Sequence, residues 1–172
     1  MPGPFHPLIE KWKTLPSLVA WSGPGSVDGK MEFLAPLDIE GVTIAELALR
    51  GIAYDQRPNA DVMLQLETGI PGNRTRIPLA RIDWKPLSPF HKNGFKGPVE
   101  LRGLLITGTH AHPFEPNWID DLQRMRAGNL PVAIKIVEPV QAFSEMLDYA
   151  KNLFRISDIT DIAEPEWSPK LL

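Results

Sequence analysis

The chain has 172 residues, of which 43% are hydrophobic and 23% charged, a balance that is ordinary for one globular domain with its own core. It contains no cysteine, which excludes a disulfide framework, a thiol nucleophile and a cysteine metal site. No stretch approaches the roughly 18 apolar residues of a membrane span, and the first residues lack the basic and apolar regions of a signal peptide. We therefore expect a soluble, cytoplasmic protein.

The first half of the chain is dominated by patterns that indicate strands. Residues 42–54 contain good helix formers, but Gly41, Gly51 and the Val-Thr-Ile start favour a strand that bends near Gly51. Residues 61–67 alternate apolar and polar side chains, and with residues 75–84 they predict a β-hairpin. Three elements are predicted before residue 40: a helical turn at 8–12, a β-like run at 17–22 and a strand at 30–34.

The second half mixes loops, short strands and the clearest helix. In chain order we predict a surface loop at 85–98, a strand at 99–107, a loop at 113–118, a helix at 119–126 and a strand at 131–137. A helix then starts near Pro139, since proline suits a first turn, and ends at Phe154. Its apolar stripe indicates core packing rather than a ligand site and consists of Phe143, Met146, Leu147, Ala150, Leu153 and Phe154.

Together these patterns predict a single α+β domain that spans residues 1–172. Strands occupy most of the first two-thirds and the clear helix comes late. This order is typical of a mainly antiparallel β-sheet with the C-terminal helix packed on one face.

Most of the groups that can do chemistry lie between residues 81 and 112. Three of the four histidines are in this segment. If its ends are strands, their two-residue period places Arg81 and Asp83 on one face, and His110 and His112 on one face. The segment therefore predicts a polar site on a sheet.

The same region carries an excess of positive charge. Residues 74–102 have a net charge of +5, whereas the rest of the chain carries −8. This charge is compatible with a plain solvated loop, or with an anion site for a phosphate or an acidic partner.

The His110-Ala-His112 sequence with Glu115 is similar to a cupin-type metal site. Glu115 follows His112 more closely than in that motif, and no histidine occurs after residue 112, so His91 would have to supply the remaining ligand. We therefore predict no metal and no other cofactor, and keep a metal-dependent enzyme as a third alternative.

Metal-free cleavage of RNA needs a base for the 2′-hydroxyl proton, an acid for the leaving oxygen and a cation for the phosphorane. Histidine titrates near neutrality and serves as acid or base. Arginine is a natural phosphate clamp. The segment 81–112 supplies both residue types.

The order Arg-x-Asp, a proline-containing loop with histidine, and His-x-His after a strand resembles TumE-type toxins of bacterial toxin–antitoxin pairs. It also resembles a neighbouring group of small prokaryotic proteins. The resemblance covers about residues 76–156, whereas Trp84, the 92–100 insertion and residues 1–70 depart from the pattern. It implies an RNA-acting toxin and rests on Arg81 and Asp83, His91 with Asn93, and His110 with His112.

The leading hypothesis is a metal-independent, toxin-like endoribonuclease with RNA or an antitoxin protein as partner. The predicted catalytic residues are His110 and His112 as acid and base, Arg81 as phosphate contact, His91 as a third participant and Asp83 as orienting group. The predicted substrate-binding residues are Trp84, Lys85, Lys92 and Asn93. A non-enzymatic binding module is the first alternative. In that case Arg81 and Asp83 form a simple ion pair and Trp84 is a packing anchor.

Overall fold

The computed structural model describes residues 3–70, 72 and 74–168. Within these ranges the chain forms eight strands and four α-helices. The strands are β1 (Lys30–Ile39), β2 (Val42–Tyr54), β3 (Val62–Gly69), β4 (Arg76–Trp84), β5 (Phe90–Lys92), β6 (Leu105–Thr107), β7 (His110–His112) and β8 (Ile134–Lys135). The helices are α1 (His6–Glu10), α2 (Phe114–Asn117), α3 (Leu122–Gly128) and α4 (Phe143–Phe154).

Six strands form one antiparallel sheet in the order β1-β2-β3-β4-β7-β8. The first four are neighbours both along the chain and in the sheet. β5 and β6 pair with each other in a separate two-stranded sheet, inside the connection from β4 to β7. The predicted α+β class and its mainly antiparallel sheet are confirmed.

The core follows the two-residue period of the strands. On β3, Val62, Leu64 and Leu66 are buried, as the alternation predicts. The buried residues of α4 belong to the same core cluster and lie on the predicted stripe: Phe143, Met146, Leu147, Ala150 and Phe154. Each large apolar side chain that is fully buried contributes about 1.5–3 kcal/mol, so the helix and the sheet stabilise each other.

The helix begins at Phe143, four residues after the predicted start at Pro139. The carbonyl of Val140 accepts a hydrogen bond from the indole of Trp84 at 3.0 Å, and the Trp84 and Phe143 rings pack edge to face. The segment before the helix is therefore attached to β4 in a non-helical conformation.

The predicted strand at 131–137 is reduced to the two residues of β8 because side chains take its backbone partners. The Asn117 amide donates to the Val132 carbonyl and accepts from the Val132 N–H, both at 2.8 Å. Asn93 makes the same pair of bonds to Ala133, at 2.9 and 2.8 Å. With these groups satisfied, no sheet ladder is needed there.

Further predictions are wrong in detail. Residues 17–22 form no strand, although Ser22 donates a backbone hydrogen bond to Glu32 of β1. The predicted loop at 85–98 contains β5, and the predicted strand at 99–107 is a 3-10 turn followed by β6. Prolines and glycines on both sides limit this hairpin to three residue pairs.

The tight contact at Gly51 gives a test of the sheet. A Cβ at this position would lie 2.2 Å from the buried ring of Phe33, the residue paired with Gly51 across β1 and β2. We expect Gly51→Ala to lower the free energy of unfolding by about 1–3 kcal/mol, because the core must shift. Gly23→Ala is the matched control, since nothing lies within 4 Å of its Cβ. Urea denaturation measures both, and equal stabilities would contradict the expectation.

Candidate active site

The site is built by the pairing of β4 with β7. In the observed register Arg81 lies opposite His112, and Asp83 lies opposite His110. Ile82 and Ala111 are paired between them, and both are fully buried. Because side chains alternate along a strand, the four polar residues share the face opposite to that of the apolar pair.

Asp83 is the common partner of the polar groups on this face. Its Oδ2 atom accepts a hydrogen bond from Arg81 Nε at 2.9 Å. The same oxygen lies 3.3 Å from His110 Nε2 and 3.2 Å from His112 Nε2. Arg81 reaches further, since its Nη2 atom lies 2.9 Å from His112 Nε2. One carboxylate, one guanidinium and two imidazoles thus form a connected cluster.

The third histidine reaches the cluster from the small hairpin. His91 pairs with Ile106 between β5 and β6 and lies over the other rings. Its ring centroid is 5.6 Å from that of His110 and 4.9 Å from that of His112. One ring nitrogen from each of the three histidines lies within 4.8 Å of the other two.

Each histidine is held by a backbone carbonyl. A carbonyl oxygen only accepts, so the ring nitrogen facing it carries the proton, and in the neutral ring the other nitrogen keeps its lone pair. In the neutral rings the nitrogens that keep the lone pair are therefore Nδ1 of His91 and Nε2 of His110 and His112. The three pairs are His91 Nε2 with Pro131 O (3.0 Å), His110 Nδ1 with Gly108 O (2.8 Å) and His112 Nδ1 with Leu130 O (2.6 Å).

Burial sets the charge state of His112, which is fully buried. Desolvation lowers the pKa of His112, and the positive charge of Arg81 lowers it further, against the opposing effect of Asp83. His112 is therefore neutral at pH 7. In the neutral form, Nε2 of His112 accepts a hydrogen bond from Nη2 of Arg81.

The pKa of Asp83 is lowered, whereas burial without charged or hydrogen-bonding partners raises the pKa of an acid. Burial alone raises the pKa of Asp83, but the close contacts of its carboxylate with His110 and His112 and the charge of Arg81 reverse this effect. The pKa of Asp83 therefore lies well below its ordinary value, and the carboxylate stays ionised across the physiological range.

Two predicted substrate-binding residues are structural. Trp84 is fully buried and belongs to the core, so it offers no ring surface to a ligand. Asn93 is 1% exposed, and its amide is bonded to the backbone of Leu101 and Ala133. Lys85 donates to the carbonyl of Gln141 at 2.7 Å.

Lys92, the remaining predicted contact, is exposed on β5. Glu115 does not join the cluster, and its carboxylate lies 4.0 Å from the ring of His6. The Glu115 part of the cupin-like arrangement is therefore not formed. His6 itself accepts a hydrogen bond from the Gly3 N–H and packs against the rings of Phe114 and Trp118.

Sequence reasoning missed a second ionic cluster on the same sheet face. Glu67 is 2% exposed and accepts hydrogen bonds from Arg50 and Gln65, while Arg76 forms an ion pair with it. The strand register places Arg50, Gln65 and Arg81 in one row across β2, β3 and β4. The signal was present in the charged positions of predicted strands, which alternate with apolar ones.

Comparison of the chain with protein-family models, curated proteins and solved structures returns no match. The resemblance of residues 76–156 to TumE-type toxins stays a prediction. In the part of the chain that the structure describes, no helix is both long enough and apolar enough to cross a membrane.

The depressed pKa of Asp83 predicts a loss of stability in acid. The ordinary pKa of an aspartate is about 3.9, so the stabilisation is fully present above that pH and is lost as the pH falls below it. We expect Asp83→Asn to lower the free energy of unfolding by about 1.5–3 kcal/mol at pH 7, because charged hydrogen bonds are lost. The difference from wild type should shrink towards pH 2.5.

Denaturation curves at pH 7, 5, 4 and 2.5 measure this effect. Asp120→Asn is the matched control, because Asp120 is exposed. A difference between wild type and Asp83→Asn that stays constant with pH would contradict the assignment.

Proposed function

We propose that the protein cleaves RNA by histidine acid–base chemistry at the cluster of Arg81, Asp83, His91, His110 and His112. The observation that carries the proposal is the cross-strand pairing of Arg81–His112 and Asp83–His110, completed by the ring of His91. The pairing brings imidazole, carboxylate and guanidinium groups together, and these residue types support the proposal because transfer of a phosphodiester needs an acid, a base and a cation.

The chemistry needs three actions. A base removes the proton of the 2′-hydroxyl, whose oxygen attacks the adjacent phosphorus. An acid donates a proton to the 5′-oxygen as its bond to phosphorus breaks. A cation stabilises the negative charge that develops on the phosphorane oxygens.

Burial favours one division of these roles. Arg81, Asp83 and His91 are partly exposed, whereas His112 is fully buried. His91 is therefore the best placed of the three rings for proton exchange with a substrate. His110 is buried but 5% exposed, so it is better placed than His112, and Arg81 is the phosphate contact. His112 accepts from Arg81 and positions it. This differs from the sequence-based assignment of His110 and His112 as the acid and base.

Surface charge supports a polyanionic substrate. The exposed residues Lys92, Lys96 and Arg102 lie on the β5–β6 hairpin and its connecting loop, the same element that carries His91. Basic side chains beside a site raise the local concentration of a polyanion. By contrast, a cavity of about 480 Å³ beside α4 is lined by the carboxylates of Glu138, Glu145 and Asp148, which repel phosphate.

The proposal is tested by cleavage of a labelled single-stranded RNA in EDTA. We expect His91→Ala and His110→Ala each to lower the rate about 100-fold or more, since a general acid or base contributes roughly 10²–10⁴-fold. His6→Gln is the matched control, because His6 is the one histidine outside the cluster. Circular dichroism verifies folding. An unchanged rate in the double variant His91→Ala/His110→Ala would exclude these roles.

A second candidate function, protein binding, is favoured by the surface of the same hairpin. Large apolar side chains are exposed there next to Lys92 and Lys96, and exposed apolar patches are typical of interaction sites. The patch suits an acidic protein partner with apolar anchors, such as an antitoxin. Its apolar members are Leu87, Phe90, Phe95, Val99, Leu104 and Leu105.

Co-purification from the native host tests this second candidate. We expect wild type to form a stable complex with an acidic protein, and the Phe95→Ser/Leu105→Ser variant to lose it. Leu18→Ser is the control, because Leu18 is 93% exposed outside the patch. Equal recovery with all three chains, or no complex with wild type, would contradict it.

A further inference from the structure

We propose that His91, His110 and His112 also bind one first-row transition-metal ion of the zinc type. One ring nitrogen of each lies within 4.8 Å of the other two. Tetrahedral zinc with bonds of about 2.0–2.1 Å holds its ligand atoms roughly 3.4 Å apart. We infer that His91, which is partly exposed on its two-stranded hairpin, moves to close the difference.

The hydrogen bonds outside the cluster match those of metal-ligating histidines. Such histidines donate their other ring N–H to a carbonyl or carboxylate, which fixes the tautomer and orients the lone pair. All three rings meet this condition, each through a backbone carbonyl. The lone pairs of His110 and His112 are therefore oriented by the fold, and only that of His91 has to move.

Asp83, whose carboxylate contacts two of the three rings, is our candidate for the fourth ligand atom. Its Oδ2 lies 3.3 and 3.2 Å from the free nitrogens of His110 and His112. A carboxylate oxygen and two imidazole lone pairs repel at these distances unless a proton or a metal ion lies between them. Arg81 relieves this repulsion only in part, because its Nη2 points at His112 alone of the three rings.

The donor set determines which ion is bound. Imidazole nitrogen suits zinc, cobalt and nickel, whereas magnesium and calcium prefer oxygen ligands. The positive charge of Arg81 offsets the negative charge of Asp83, so the ion meets a site without net negative charge. On coordination Arg81 releases His112 and keeps its Nε bond to Asp83 as an outer hydrogen bond.

Coordination and proton transfer exclude each other at this site. Both use the same ring lone pairs, so a bound metal ion removes His91 and His110 from acid–base chemistry. This consequence rests on the proposed function. It predicts that zinc inhibits RNA cleavage reversibly and that EDTA restores it.

Metal binding is measured without RNA, by calorimetric titration of the EDTA-dialysed protein with Zn²⁺ and by the visible spectrum with Co²⁺. We expect one ion per chain and a tetrahedral cobalt spectrum, with no binding of Mg²⁺. His91→Ala should weaken zinc binding about 100-fold or more, since even outer-shell changes cost roughly 10–100-fold. Because His91 is partly exposed, we expect this variant to keep the fold, and circular dichroism verifies it.

His6→Gln is the control and should bind zinc as wild type does. No binding at millimolar zinc, or equal binding by wild type and His91→Ala, would overturn the metal site. Zinc that binds at the site and accelerates cleavage would overturn the inhibitory role. Zinc binding without any RNA cleavage would support the metal site and reject the proposed function.

Discussion

The antiparallel pairing of β4 with β7 is the constraint on which the site depends. It comprises three residue pairs, yet it decides which side chains meet. A slip of one residue would turn His110 and His112 into the core and bring Ala111 to the polar face. The fully buried pair of Ile82 and Ala111 opposes such a slip, because a small side chain is needed at that packed position.

The irregular segment after α3 orients two of the three histidine rings of the site. Leu130 and Pro131 present carbonyls to His112 and His91, which a regular ladder would have used internally. The Asn93 and Asn117 amides make this possible, because they satisfy the next backbone groups in place of a strand. The loss of strand structure at 131–137 and the orientation of the rings thus have one physical cause.

The sequence could predict those parts of the site that depend on the alternation of side chains along a single strand. Arg81 and Asp83 share a face because they are two residues apart on a strand, and the same alternation places Trp84 in the core. That signal was available, and the assignment of Trp84 to substrate binding overlooked it. The role of Asn93 could not be predicted, because its partner Ala133 lies 40 residues away. His91 likewise depends on a three-pair hairpin whose prolines and glycines favour a loop.

The two ionic clusters on the polar face show why residues 81–112, and not residues 50–76, form the candidate site. The carboxylate of Glu67 is buried and surrounded by the guanidinium groups of Arg50 and Arg76, which have no proton to exchange near neutrality. Asp83 is partnered by imidazoles, and a neutral imidazole carries a lone pair on one ring nitrogen. Such lone pairs can take up a proton or a metal ion, whereas guanidinium groups can do neither. The Glu67 cluster stabilises the sheet, whereas the Asp83 cluster carries the imidazole groups on which both proposals rest.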